Sequence, residues 1–252
     1  MLQAIVIVAG STLLSVAGLL AVIRWVPADV RGSDHDTKAA FLSMAGVSYA
    51  ILLAFVVVAV WTDFTEASDT SEQEVTRLAS LMRDTAPFPA AARVPMRRSV
   101  LSYAEAVVRL EWPSMADGEA NPVANQHYED IWEQWYRYAP RNATQTAFYA
   151  EGVTRLNDVG VSRRLRLIAS RASVTPAMWV LLAVGFLVSI SFTYQFKMAR
   201  VATHVLAVAT IAALTGFVLF LIFSLQHPFA GDVAISPSPW REFIQSWAGR
   251  PL

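Results

Sequence analysis

At 252 residues, 55% hydrophobic and only 16% charged, the chain falls well short of the about 25% charged residues usual in soluble domains. Lysine plus arginine and aspartate plus glutamate balance at 20 each, which excludes the bulk basic field of a nucleic-acid binder. The chain has no cysteine, which removes disulfides, thiolate nucleophiles and cysteine-based metal sites.

The apolar excess is concentrated in four blocks: Leu2 to Val26, Phe41 to Trp61, Met178 to Phe196 and Val201 to Leu225. Each approaches the ~20 apolar residues that span ~30 Å of hydrocarbon as a helix. None carries a charge in its central turns, and Arg24 sits at an end, where its stem can snorkel. Trp25, Trp61, Trp179 and Tyr194 fall at the predicted interfaces, as an aromatic belt requires. The first block has no positive n-region and is too long for a signal-peptide core, so it reads as a retained helix. With Lys197 to Arg200 as a tight turn, both termini and the segment between the second and third blocks share one side of a multi-pass membrane protein. Flanking positives divide almost evenly between the two sides, so the positive-inside rule leaves the orientation open.

The expected fold class is therefore an all-α membrane protein with an inserted helical extramembrane domain. Residues 1–62 hold transmembrane helices one and two. Residues 63–172 form the extramembrane domain, 173–225 hold helices three and four, and 226–252 form a docking C-terminal tail. In the insert, Pro87, Pro89, Pro95, Pro113, Pro122 and Pro140 punctuate segments of helical period. From Thr62 to Met82 there is neither proline nor glycine. The second helix is thus expected to run from Phe41 to about Asp84, ~65 Å at 1.5 Å per residue, half in the membrane and half as a stalk. In the tail, Pro239 opens a short helix that carries Phe243 and Trp247.

No P-loop, dinucleotide fingerprint or nucleophile elbow occurs, so no enzyme activity is expected. The histidines His35, His127, His204 and His227 lack ligand spacing. The Asp34-His35-Asp36 loop offers a small acidic cluster or simply a solvated turn, and His204 reads as an interfacial hydrogen-bonding group. Neither a metal nor a cofactor is expected.

The second helix carries the informative faces. Gly46, Ala50 and Ala54 repeat every fourth residue, a spacing that lets helices approach closely in lipid, between copies or within one. Tyr49, Leu53, Val56 and Val60 form another face. Around an axis of identical helices it would make an apolar constriction that gates by dewetting, and lipid contact or core packing would produce the same pattern. Beyond Trp61 come Asp63, Glu66, Asp69, Glu72 and Glu74. At 100° per residue, Asp63, Glu66 and Glu74 lie within about 80° of one another, so symmetric copies would stack them into carboxylate rings at a pore mouth. A solvated stalk face is the plainer account. Arg163, Arg164, Arg166 and Arg171 precede helix three and would meet the acidic stalk or anionic headgroups.

These segments resemble a bestrophin-like family of mostly bacterial, four-helix membrane proteins. The resemblance rests on His35-Asp36 and on Tyr49 to Val58. It rests also on Glu111-Trp112-Pro113, on Arg163-Arg164-Leu165-Arg166-Leu167, and on His227-Pro228-Phe229-Ala230-Gly231-Asp232. Bestrophins proper are pentameric chloride channels whose second helix lines the pore and whose termini are cytosolic. The resemblance implies a homo-oligomeric channel in a cell (inner) membrane, with a cytoplasmic domain and a neck at Tyr49, Leu53 and Val56. The acidic run opposes anion entry, so the permeant inorganic ions are expected to be cations. The competing expectation is a non-conducting membrane anchor whose helical domain binds a partner.

Overall fold

The computed structural model describes residues 2–27 and 35–248. Among them all regular structure is helical. In chain order the helices are α1 (Leu2–Trp25), α2 (His35–Asp84), α3 (Ala90–Ala106), α4 (Trp112–Ala116), α5 (Pro122–Tyr136), α6 (Ala143–Arg171), α7 (Pro176–Tyr194), α8 (Val201–Leu225) and α9 (Ser238–Ala248). A π-helical turn, Val107–Glu111, joins α3 to α4. Four helices, α1, α2, α7 and α8, are long and apolar enough to cross a membrane. Ser33, Asp34 and the His35 side chain lie outside the described residues.

The chain divides into two compact units, Met1–Thr62 with Ser173–Gln226, and Asp63–Ala172 with His227–Leu252. In the first unit α1 lies along α8. A side chain at Gly216 would meet Ser11 and the Val8 backbone, the latter at 3.3 Å, so the two helices approach as small residues allow. Tyrosines tie the remaining helices together. The Tyr49 hydroxyl donates to the Leu182 carbonyl at 2.9 Å, and its ring lies where a Cβ on Gly185 would stand. The Tyr194 hydroxyl donates to the Ser15 carbonyl at 2.7 Å, with its ring against Gly18. In hydrocarbon a phenol without a partner costs several kcal/mol, so each ring is seated where a carbonyl can accept. His204 is buried, and its Nε2 lies 2.9 Å from the Thr193 carbonyl, a local hydrogen bond that closes the α7–α8 turn.

The second unit is built around the far half of α2. Its core joins Leu78, Leu81 and Met82 of α2 to Val100 and Tyr103 of α3, Ile131 and Trp135 of α5, Leu156 and Val159 of α6, and Trp240, Phe243 and Trp247 of α9. Helix starts follow local rules. Asn121 caps α5 by accepting from Val123 and Ala124 N–H, with Pro122 in the first turn. Asn142 caps α6 by accepting from Gln145 N–H at 2.9 Å, while the Gln145 carboxamide accepts from the N–H of Arg141, one residue before the cap, a variant of the capping box. Pro95 departs from its expected role as a breaker. It lies inside α3, which starts at Ala90. There it removes only its own backbone donor one turn beyond the orphan N–H groups of the first turn.

Candidate functional site

Helix α2 has one packed face. Tyr49, Val56, Val60, Ala67, Ser71, Glu74, Leu78 and Leu81 are all buried. At 100° per residue they form a continuous stripe within about 80°. This bears on two expectations. The face of Tyr49, Leu53, Val56 and Val60 turns into its own protomer: Tyr49 packs with Phe186, Ile190 and Ala212, and Leu53 lies against that cluster. Packing within the chain takes up Tyr49, Val56 and Val60 and part of Leu53, the core-packing alternative for this stripe. Glu74 shares the stripe and is 0% exposed, so it cannot belong to a hydrated carboxylate ring with Asp63 and Glu66, which are exposed.

Glu74 instead enters a buried charge cluster. The Arg166 guanidinium, itself 0% exposed, donates from Nε to Glu74 Oε2 at 2.8 Å and from Nη2 to Glu111 Oε2 at 2.8 Å. Its Nη1 faces Met115 Sδ at 3.0 Å. Arg163 donates to Glu111 Oε1 at 2.6 Å and to Asn125 Oδ1 at 2.9 Å. The Tyr103 hydroxyl donates to Glu74 Oε1. Two carboxylates thus face two guanidiniums, and each carboxylate oxygen accepts at least one hydrogen bond, the kind of pairing under which buried ions are tolerated. Burial alone would lower the Arg166 pKa, but Glu74, Tyr103 and Glu111 together outweigh it and hold the guanidinium charged. Burial, and after it the Glu74 charge, pushes the Tyr103 phenol well above its ordinary range. Arg164, between the two buried arginines, is exposed.

Local backbone chemistry aims Glu111 at this cluster. Pro113 has no N–H to offer the Arg109 carbonyl, and its ring crowds that oxygen. The helix widens instead, and Trp112 N–H bonds to the Val107 carbonyl five residues back. Such π turns recur at functional sites. Trp112 meets Phe229 edge-on at 5.3 Å between centroids and donates its indole N–H to the Ile235 carbonyl at 3.3 Å. The tail turns sharply there. Ala230 N–H bonds to the His227 carbonyl, Ile235 N–H returns to the Pro228 carbonyl, and Gly231 takes a φ of 85°, which favours glycine. The turn delivers α9, whose Trp240 lies 5.3 Å from the Arg166 guanidinium and donates its indole N–H to Ser71 Oγ at 3.0 Å. The motif residues Glu111, Trp112, Arg163, Arg166 and Phe229, far apart in the chain, converge on one cluster. Exposed Asp232 lies in the connecting turn.

The opposite face of α2 is open. Phe41, Met44, Ile51, Phe55 and Val58 are between 52% and 72% exposed. Thr62, Thr65, Asp69, Glu72 and Thr76 continue as exposed residues. All ten lie at alternating three- and four-residue intervals, or a multiple of them, on one side of the helix. This stripe was not among the sequence expectations, although its spacing is legible. Nor were Tyr103, Met115, Asn125 and Trp240, which surround the charge cluster. Gly46, Ala50 and Ala54 lie beside the open stripe, and a Cβ on Gly46 would meet nothing within 4 Å.

The Bestrophin-like domain model matches residues 9–240. The chain belongs to the Bestrophin-like family. A search of curated protein sequences finds no match. Among solved structures, a bacterial bestrophin homologue from Klebsiella pneumoniae superposes with a TM-score of 0.69 at 13% identity, covering 98% of this chain and 99% of that one. A point variant of the Klebsiella pneumoniae homologue gives 0.72 at 14% identity, covering 98% and 99%. A structure described simply as a membrane protein, again a point variant, gives 0.73 at 12% identity, covering 97% of each chain. Identity this low carries the fold: a bestrophin-like, multi-pass, all-α membrane protein with its helical domain between the second and third crossings.

Proposed function

We propose that this bestrophin-like protein is a homo-oligomeric ion channel, cation-conducting, with the open face of α2 around the shared axis. One observation carries the reading. A single exposed stripe of α2 is large and apolar at Ile51, Phe55 and Val58, and becomes hydroxyl and carboxylate at Thr62, Thr65, Asp69 and Thr76. Copies of such a helix around an axis form a dewetting apolar neck followed by a hydrated, negative vestibule. The neck is thus moved from Tyr49, Leu53 and Val56 to Ile51, Phe55 and Val58. Asp69 faces the axis, with Asp63 and Glu66 on one flank and Glu72 on the other. Gly46, Ala50 and Ala54 give the neighbouring copy a close seat. The bacterial homologues support a cell (inner) membrane location, and the domain is assigned to the cytoplasmic side with both termini.

Reversal potentials under a KCl gradient, from purified protein in planar bilayers, test this. Reversal toward the potassium potential, moved toward zero by Asp69→Asn with Glu66→Gln, supports the vestibule. Reversal at the chloride potential overturns the cation assignment. Silence from intact oligomer returns the protein to the non-conducting anchor reading.

A further inference from the structure

Outside the membrane helices, the outer face of α6 carries an open apolar surface. Val161, Leu165 and Ile168 are 55%, 47% and 58% exposed and lie at i, i+4 and i+7, a straight ridge on one side of the helix. They are the wrong residues for a solvated face. The same helix spends its other side on Leu156, Val159, Arg163 and Arg166. Only Arg164 punctuates the ridge with charge.

Ring geometry says what meets it. On α2, the open stripe stands opposite the packed one. Arg77, about 60° from Glu74 toward one flank, donates to the Asp158 carbonyl of α6 at 3.0 Å. Helix α6 therefore occupies one flank of α2. The other flank, about 100–140° around from Tyr49, carries Ala50, Ala54, Ser68 and Glu72, and Glu72 is exposed. In a ring of copies sharing the α2 axis, the α6 flank of each copy faces the Glu72 flank of the next. Height agrees too. Arg166 pairs with Glu74, Arg77 with Ser162 and Arg155 with Asp84, an antiparallel order that sets Ile168 level with Glu72. Arg164 then lies one turn along, opposite in sign to Glu72.

We propose that the Val161–Leu165–Ile168 ridge of α6 is the extramembrane subunit interface, seated on the α2 stalk of the next copy with Arg164 paired to its Glu72. The proposal rests on the ring reading of α2. It makes the interface heterologous, head to tail, so it closes into a ring and not a two-fold dimer.

A chain without cysteine allows a clean test. Ile168→Cys and Glu72→Cys are made singly and together, in the full-length protein in detergent and in vesicles. Each sample is treated with a short bis-maleimide, and native mass spectrometry is run in parallel. The double variant is expected to give a covalent ladder rising to the full oligomer, each single variant none. Reversing the charges, Arg164→Glu with Glu72→Arg, is expected to restore the assembly that either change alone weakens. Dimers from Ile168→Cys alone would mean a two-fold face and overturn the proposal. Full maleimide labelling of Ile168→Cys in an intact oligomer would overturn it while leaving the channel reading standing. Protection that appears only in vesicles, without a ladder, would mean a lipid contact and also overturn it. A monomeric mass would overturn both readings.

Discussion

The two faces of α2 are built from the same fifty-residue helix and differ in what satisfies them. The packed face finds every partner within its own chain. Tyr49 reaches a carbonyl of α7, Ser71 accepts from Trp240, and Glu74 takes the Arg166 guanidinium. The open face finds no cover in its own chain, from Phe41 and Met44 through Phe55 and Val58 to Asp69 and Glu72. One face therefore determines how the chain folds, and the other is left uncovered by it. Substitutions should divide the same way, into those that cost stability and those that change conduction.

The largest effect is expected at the charge cluster. Arg166→Met leaves Glu74 buried without a counter-ion and Glu111 with Arg163 alone, at a cost of about 3–5 kcal/mol. Thermal melts in mild detergent should show the domain transition fall steeply or vanish. An unchanged melt would mean the carboxylates are not held as described. Next is Gly185→Val, which drives methyl groups into the space of the Tyr49 ring. Overpacking of this kind costs about 1–3 kcal/mol, and it should loosen the membrane unit while the domain melts normally. A smaller loss, about 1–2 kcal/mol, is expected from Tyr103→Phe, which takes a donor from Glu74.

The Tyr103 change also alters the pH profile. The folded pKa of Tyr103 is raised by burial first and the Glu74 charge second. Its contribution is therefore complete below the unfolded phenol value of about 10 and is lost as pH rises toward the folded value. The wild-type melting temperature should drop more steeply than that of Tyr103→Phe above about pH 10. Parallel curves would remove the phenol from the cluster. The smallest stability effect belongs to the open face. Val58→Thr should shift stability by no more than about 0.5 kcal/mol yet raise single-channel conductance by wetting the neck. A stability loss as large as that of Gly185→Val would mean the face is not open.

The helices were legible because four apolar runs of membrane length and a proline-free stalk leave the backbone few alternatives. The direction of the faces was harder to read. Tyr49, Leu53, Val56 and Val60 form an apolar stripe, and so do Phe41, Met44, Ile51, Phe55 and Val58. In a helix hydrophobic all round, polarity no longer marks the inside. The decisive cues were local. A tyrosine in a membrane helix needs an acceptor, and Gly185 is the notch that receives its ring. Glu74 resembled its acidic neighbours in sequence, and its partners Tyr103 and Arg166, the latter 92 residues away in the chain, distinguish it. The Glu111-Trp112-Pro113 and His227 to Asp232 motifs stood out, but nothing local said that a π turn and a Gly231 turn would bring them together over one arginine.

The central claim is that the open face of α2, not the Tyr49 face, meets the ion path. Thiol-reagent block tests it most directly, on the cysteine-free chain carrying Thr65→Cys or, two residues on, Ala67→Cys. A cationic methanethiosulfonate added to an open channel should abolish current through Thr65→Cys and leave Ala67→Cys untouched. Block at Ala67 with none at Thr65 would contradict the assignment and return the pore to the packed face.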